Sequence, residues 1–215
     1  QIRKLLTKST IYPSKISALI RLTNIERAKV GSAPLKYHEK LQQAAMVRAK
    51  ELNTLFSHTR PNGTDSSTAV YEAGVGGSAG ENIAMGFKTP EDVMEGWMNS
   101  QGHQAAILTS AASYIGVGIY QNDYGTYFWV QDFASEKAND KRTLTADANG
   151  GVFPDGSNVY SAQFPYQSHI TFSKDMPQPT RDGYKFAGWS WYGDNIPGMG
   201  ITINTKISAI WEPIN

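Results

Sequence analysis

The chain has 215 residues, with 20 basic and 19 acidic side chains, 40% hydrophobic residues and no cysteine. That balance excludes global disorder and gives no electrostatic reason to bind nucleic acid or an anionic membrane surface. The missing cysteines exclude disulfides, thiolate catalysis and thiolate zinc sites, and no apolar run reaches the length that a transmembrane segment requires.

Residues 1–13 show no clear period and end at Pro13, so they read as a leader that packs late or links to something upstream. Ser14 is a candidate N-cap, after which Ile16, Leu19, Ile20 and Thr23 recur at helical spacing. Asn24 and Arg27 follow on that helix, and Gly31 closes it. A second helix is expected from about Glu39 to Phe56, with Leu41, Ala44, Ala45, Arg48, Ala49 and Leu52 on one face as plain core packing.

Between Ser57 and Gly80 the helical signal vanishes. Arg60-Pro61-Asn62-Gly63 reads as a turn, and residues 73–80 as a glycine-rich loop. That loop lacks phosphate-loop spacing and reads instead as a mobile rim over a cleft. Thr89-Pro90-Glu91-Asp92 is a strong helix start: a cap, a proline at the first position, and two acids at the positive end. Val93 with Trp97, and Met94 with Met98, pair on its buried side. Gly102 is expected to break that helix. Residues 115–120 and 127–133 read as two strands joined by Asn122-Asp123-Tyr124-Gly125 into a hairpin.

A charged stretch, 135–142, reads as a linker between independently folded parts. Beyond it the helical period is absent. Segments 144–146, 158–163, 170–172, 184–188 and 206–211 are short strand candidates, which makes 143–215 a small β-rich domain. Its aromatics Phe186, Trp189, Trp191 and Trp211 read as core. An exposed Trp189 or Trp191 would instead point to glycan or partner contact.

Residues 14–134 resemble the CAP superfamily, or SCP-like proteins: cysteine-rich secretory proteins, antigen 5 and pathogenesis-related 1. The matching pieces are Asn24 with Arg27, Ser57-His58-Thr59-Arg60-Pro61, Gly80-Glu81-Asn82-Ile83-Ala84, Trp97-Met98-Asn99-Ser100, Gly102-His103 and Ile115-Gly116-Val117-Gly118. The absent cysteine and the short gap from Trp97 to His103 look like the bacterial branch. The resemblance implies an α+β fold, an α-β-α sandwich with a central cleft, in a secreted or cell-surface protein. Animal and plant members line that cleft with two histidines and two glutamates, and some bind a divalent metal there. By position these are His58, His103 and Glu81; the second glutamate falls on Ser100, a departure from the pattern. Residues 143–215 resemble the internalin-type B repeat of bacterial surface proteins. Ala148-Asn149-Gly150-Gly151, residues 177–189 and Ile207-Ser208-Ala209-Ile210-Trp211 carry that likeness. It implies a β-grasp-like stalk or spacer.

Three readings of His58, Glu81, Ser100 and His103 stand open. One is a pocket for a small ligand, or for a divalent metal such as zinc held weakly by His58 and His103; no paired-histidine helix motif is present. A second is a hydrogen-bond network in which Glu81 fixes an imidazole tautomer. The third is a hydrolase of peptide or cell-wall material, with Ser100 as nucleophile, His103 as base and Glu81 as orienter. His58 and His103 are expected to converge, with Glu81 bonding one of them. Partners are then a small ligand or a cell-wall or host-surface component. His38 and His169 lack polar companions in sequence and read as surface or capping residues.

Overall fold

Helix α1 (Ile2–Lys29) opens a computed structural model that describes residues 2–214, with side chains from Pro13 onward. The helix runs through Pro13, so the helix start expected at Ser14 is corrected to a position upstream of it. An interior proline removes one backbone donor and crowds the carbonyl four residues back, a cost the helix bears without ending there. Leu19, Thr23 and Arg27 are buried along one stripe of α1. Arg27 then donates to the carbonyls of Ala33 at 2.7 Å, Ile107 at 2.7 Å and Thr109 at 2.8 Å. Asn24 exchanges two bonds with the backbone of Leu35, which leads the chain into the short strand β1 (Lys36–Tyr37).

Helix α2 (Glu39–Glu51) is capped by His38, whose Nδ1 accepts from the Leu41 amide at 3.3 Å. It ends before Phe56, because Asn53 and Thr54 favour turns over helix interiors. A six-residue helix, α3 (Ser67–Glu72), interrupts the stretch read as irregular. The glycine-rich stretch is no mobile rim. Gly76 and Gly77 are buried and bonded to the backbone at Ala138 and Ser135, and β2 (Ser78–Met85) begins directly after them. Helix α4 (Pro90–Met98) starts on Thr89, whose hydroxyl accepts from the Asp92 amide at 3.1 Å. The break falls at Asn99–Ser100. Gly102 lies inside α5 (Gln101–Leu108).

Strands β3 (Tyr114–Gln121) and β4 (Tyr127–Ala134) form the expected hairpin and complete a sheet of order β1-β3-β4-β2. Alternation along these strands makes two cores. Ile115, Val117, Ile119, Trp129 and Phe133 meet Leu19, Val93, Trp97 and Ile107 of α1, α4 and α5. On the other face Ile83, Phe128 and Val130 meet Ala45, Ala49 and Leu52 of the α2 segment. This is an α+β unit with helices on both faces of the sheet. Among the described residues no helix is long and apolar enough to cross a membrane.

The first compact unit ends at Ala138 and the second begins at Asn139. Within the stretch expected as a linker, a 3-10 turn spans Glu136–Asn139, and Ala138 is buried among Leu41, Ala44 and Ala134. In the second unit, β5 (Lys141–Asp147), β6 (Val159–Pro165), β7 (His169–Thr171), the short α6 (Phe172–Asp175) and β8 (Tyr184–Trp191) come first. β9 (Asp194–Ile196), β10 (Gly198–Gly200) and β11 (Thr205–Pro213) follow. The main sheet has the order β6-β5-β11-β8-β9, with β5 and β11 parallel at its centre. Trp189 is buried and stacks on Phe153 at 6.1 Å, while Trp191 is partly buried against the same core.

Candidate functional site

Helical spacing sets Arg48 on the apolar face of α2, where a guanidinium persists only if its charge is paired. Its side chain is fully buried and bonds Glu81 twice, Nε to Oε2 at 2.7 Å and Nη2 to Oε1 at 3.2 Å. Nη1 donates to Glu51 Oε2 at 2.8 Å, and Nη2 to the Ser57 carbonyl at 2.7 Å. Arg48 therefore ties the strand that bears Glu81 to the loop that bears His58. The reading of Arg48 as plain packing is corrected.

Glu81 points from β2 toward α2, on the same face as Ile83, and its side chain is 4% exposed. Its Oε1 meets His58 Nδ1 at 2.8 Å, while the His58 side chain is 55% exposed. A carboxylate gripped by a guanidinium accepts, so in the neutral imidazole the proton sits on Nδ1 and Nε2 is the acceptor. The loop is pinned from below by Arg60, which donates to Glu51 at 2.8 Å and to Glu72 and Thr68 at 2.9 Å. Burial raises the pKa of Glu51, but the hydrogen bonds from Arg60 and Arg48 outweigh it and hold the carboxyl below its ordinary value.

Asp132 is the second residue that the sequence reading passed over. It stands opposite Glu81 in the β2–β4 register, is 1% exposed, and its Oδ2 is buried without a hydrogen-bond partner among the described residues. Burial first, and the Glu81 charge next, raise its pKa well above the ordinary 3.8, against the pull of Arg48. The folded state thus holds a proton that the unfolded chain releases. The stability linked to Asp132 is complete below pH 3.8 and is lost as pH rises toward the folded-state pKa. Asp132→Asn, which mimics the neutral acid, should therefore gain stability over wild type as pH rises from 3.8 toward the folded-state pKa, and hold that gain above it. Urea midpoints measured across pH 3.5–8.5 check this; parallel profiles for the two proteins would refute it.

His103 sits in the first turn of α5, its ring 6.5 Å from that of Trp97. Burial, and then the charge of His58, lower its pKa below 6.5, and its Nδ1 is buried without a partner among the described residues. Its carbonyl accepts from Asn82 Nδ2 at 3.1 Å, and Asn82 continues a buried chain through Gln131 to Thr23. Ser100 occupies the N-cap of α5 but makes no side-chain cap bond. Among the described residues no hydrogen bond joins Ser100, His103 and Glu81, whose oxygens instead meet Arg48 and His58.

The donor set also does not fit a resident zinc. Among the described residues no three His, Asp or Glu side chains gather at ligating spacing. Arg48 already occupies both Glu81 oxygens, and its charge opposes a second cation. A metal held by His58 and His103 would therefore have only those two imidazoles, with no third His, Asp or Glu at ligating spacing among the described residues.

A sheet covered by helices on both faces, with a buried Arg–Glu pair holding a half-exposed imidazole, defines the class of protein. The CAP profile, described as the cysteine-rich secretory protein family, matches residues 20–133. The chain belongs to that family. The uncharacterised protein YkwD of Bacillus subtilis (strain 168) is 36% identical over 132 residues, which is 58% of this chain and 50% of that protein. The uncharacterised membrane protein YlbC of the same strain is 32% identical over 113 residues, 51% of this chain and 33% of its own length. The chain thus spans half or less of these curated relatives. Among solved structures, an extracellular protein containing a SCP domain from Bacillus anthracis str. Ames superposes with a TM-score of 0.52 at 26% identity. That match covers 58% of this chain and 41% of the other. An outer surface protein from Borrelia burgdorferi gives 0.51 at 21% identity over 55% of this chain and 90% of its own, a likeness of fold alone.

Proposed function

We propose that this chain is part of a secreted or cell-surface bacterial protein whose CAP unit binds a small polar ligand at His58 and performs no turnover. The observation that carries the reading is the fixed imidazole: Glu81 and Arg48 set its tautomer and leave Nε2 as an acceptor. A hydrolase uses a nucleophile bonded to its base; a Ser100 with no cap bond and a His103 whose buried Nδ1 has no partner among the described residues support binding over turnover. The extracellular character of the Bacillus anthracis structure supports placement outside the cell. Beside this unit, residues 143–215 act as an internalin-type B repeat, a β-grasp-like spacer or adhesion module. Its mixed five-stranded sheet with a parallel central pair supports that part of the proposal.

The test uses soluble cell-wall fragments, disaccharide peptides released from bacterial peptidoglycan, titrated into isotope-labelled chain and followed by NMR. Saturating shifts at His58 and neighbouring amides are expected, with no new product signals. His58→Ala should weaken binding roughly tenfold, the size of one lost hydrogen bond. Turnover abolished by both Ser100→Ala and Glu81→Gln would overturn the proposal, as would equal binding by His58→Ala.

A further inference from the structure

Two motifs of the second unit remain without a role: Asn149-Gly150-Gly151 and Thr180-Arg181-Asp182-Gly183-Tyr184. The fold brings them together. Val152 and Thr180 exchange backbone bonds at 2.8 Å each way, so the two loops run side by side. Between them lies a pocket of about 340 Å³ lined by Gly150, Gly151, Thr180, Arg181, Asp182 and Tyr184, with Val152 as its aliphatic member.

Arg181 dominates its chemistry. The guanidinium carbon lies 4.0 Å from the centroid of the Tyr184 ring, and Nη1 donates to the Asn149 carbonyl at 3.3 Å. Gly150 adopts φ +85°, and a Cβ there would stand 3.3 Å from the guanidinium carbon. Glycine thus supplies both the turn and the room for the arginine to lie across it. Stacking and one hydrogen bond hold the planar group in place, so little side-chain freedom is left to lose on binding.

What Arg181 lacks is a carboxylate. Among the described residues it forms no ion pair, although Asp182 is next in the chain. Arg142, the other arginine stacked on a tyrosine, is paired with Asp140 at 3.4 Å. Arg48 and Arg60 are paired with glutamates. A held, half-buried guanidinium with donors to spare inside a polar pocket is suited to planar or tetrahedral oxygen anions, which it can meet through two bonds at once.

We infer that the Gly150/Arg181 pocket of the second unit is a binding site for an oxyanion, a phosphate or a carboxylate group. Asp182 at the rim weakens the site and limits it to ligands that bring other contacts. The site is separate from His58 and does not depend on the function proposed for it.

The experiment titrates inorganic phosphate and, separately, acetate into the isotope-labelled full chain at constant ionic strength, with chloride as the control. Saturating shifts of the Gly150, Gly151 and Arg181 amides are expected for at least one of the two anions and not for chloride. Which anion saturates distinguishes a phosphate-bearing ligand from a carboxylate-bearing one. Arg181→Lys should weaken the effect roughly tenfold, since one point charge replaces a two-bond fork. Asp182→Asn leaves the core untouched and should strengthen it several-fold. Linear shifts shared with chloride, or unchanged affinity in Asp182→Asn and in a folded Arg181→Lys, would overturn the inference.

Discussion

Arg48→Met should destabilise the first unit by about 3–5 kcal/mol, the cost of leaving a buried carboxylate without its cation. Glu81 is 4% exposed, and Arg48 is the only fully buried cation it meets among the described residues. Asp132 across the strand supplies no cation to replace it. Against a typical total of roughly 5–15 kcal/mol, this loss is large enough to populate the unfolded state on mild heating. Guanidinium unfolding followed through the buried Trp97 and Trp129 measures it. The double change Arg48→Met with Glu81→Leu should recover most of the loss, because replacing both members of a buried pair by apolar groups is often near neutral. A single Arg48→Met variant within about 1 kcal/mol of wild type would show that the pair is not what holds β2, α2 and the His58 loop together.

The contrast between α4 and α3 shows what the sequence can carry. The start of α4 is local information: Thr89 caps an amide in the first turn, Pro90 presets φ, Glu91 and Asp92 face the positive end, and the structure bears out the cap. The helix α3 spans six residues, too few for an amphipathic period to show. What holds it is distant, with Val70 and Ala69 packed against α2 and Glu72 bonded to Arg60. The site divides in the same way. His58, Glu81 and His103 stand out because polar residues flank glycine and turn signals. Arg48 does not, since its helical stripe is otherwise apolar, yet a charge on such a stripe is itself the signal that a buried partner must exist. Asp132 is harder to see. In Tyr127–Ala134 both faces of the strand are buried, so alternation gives no sign of which polar residue is a solvent-facing member of the pattern. Only the register that sets Asp132 opposite Glu81 reveals the second carboxyl, and register is a property of paired strands rather than of either one.

Gly118→Ala should cost about 3 kcal/mol or more, although glycine to alanine at an ordinary backbone angle usually stabilises by roughly 0.4–1 kcal/mol. Gly118 has no positive φ, so chain stiffness alone favours the change. Packing decides the opposite sign. On β3, Ile115, Val117 and Ile119 face α1, while Gly116 and Gly118 face α2 and let its backbone lie against the sheet. A Cβ on Gly118 would stand 1.8 Å from the Ala45 carbonyl oxygen, and one on Gly116 would stand 2.3 Å from the Leu41 carbonyl carbon. Those are main-chain atoms of a helix, which cannot rotate aside as a side chain does. The helix itself must lift, and α2 carries Arg48 and Glu51 with it. The expected result therefore has two parts: a lower denaturation midpoint, and His58 imidazole signals that shift toward those of a ring no longer held by Glu81. Ile119→Val, on the opposite face of the same strand, should cost only about 0.5–1.5 kcal/mol and leave the His58 signals in place. If Gly118→Ala matched wild type on both measures, α2 would not sit against the β3 backbone at these distances, and the geometry that presents His58 would need another support.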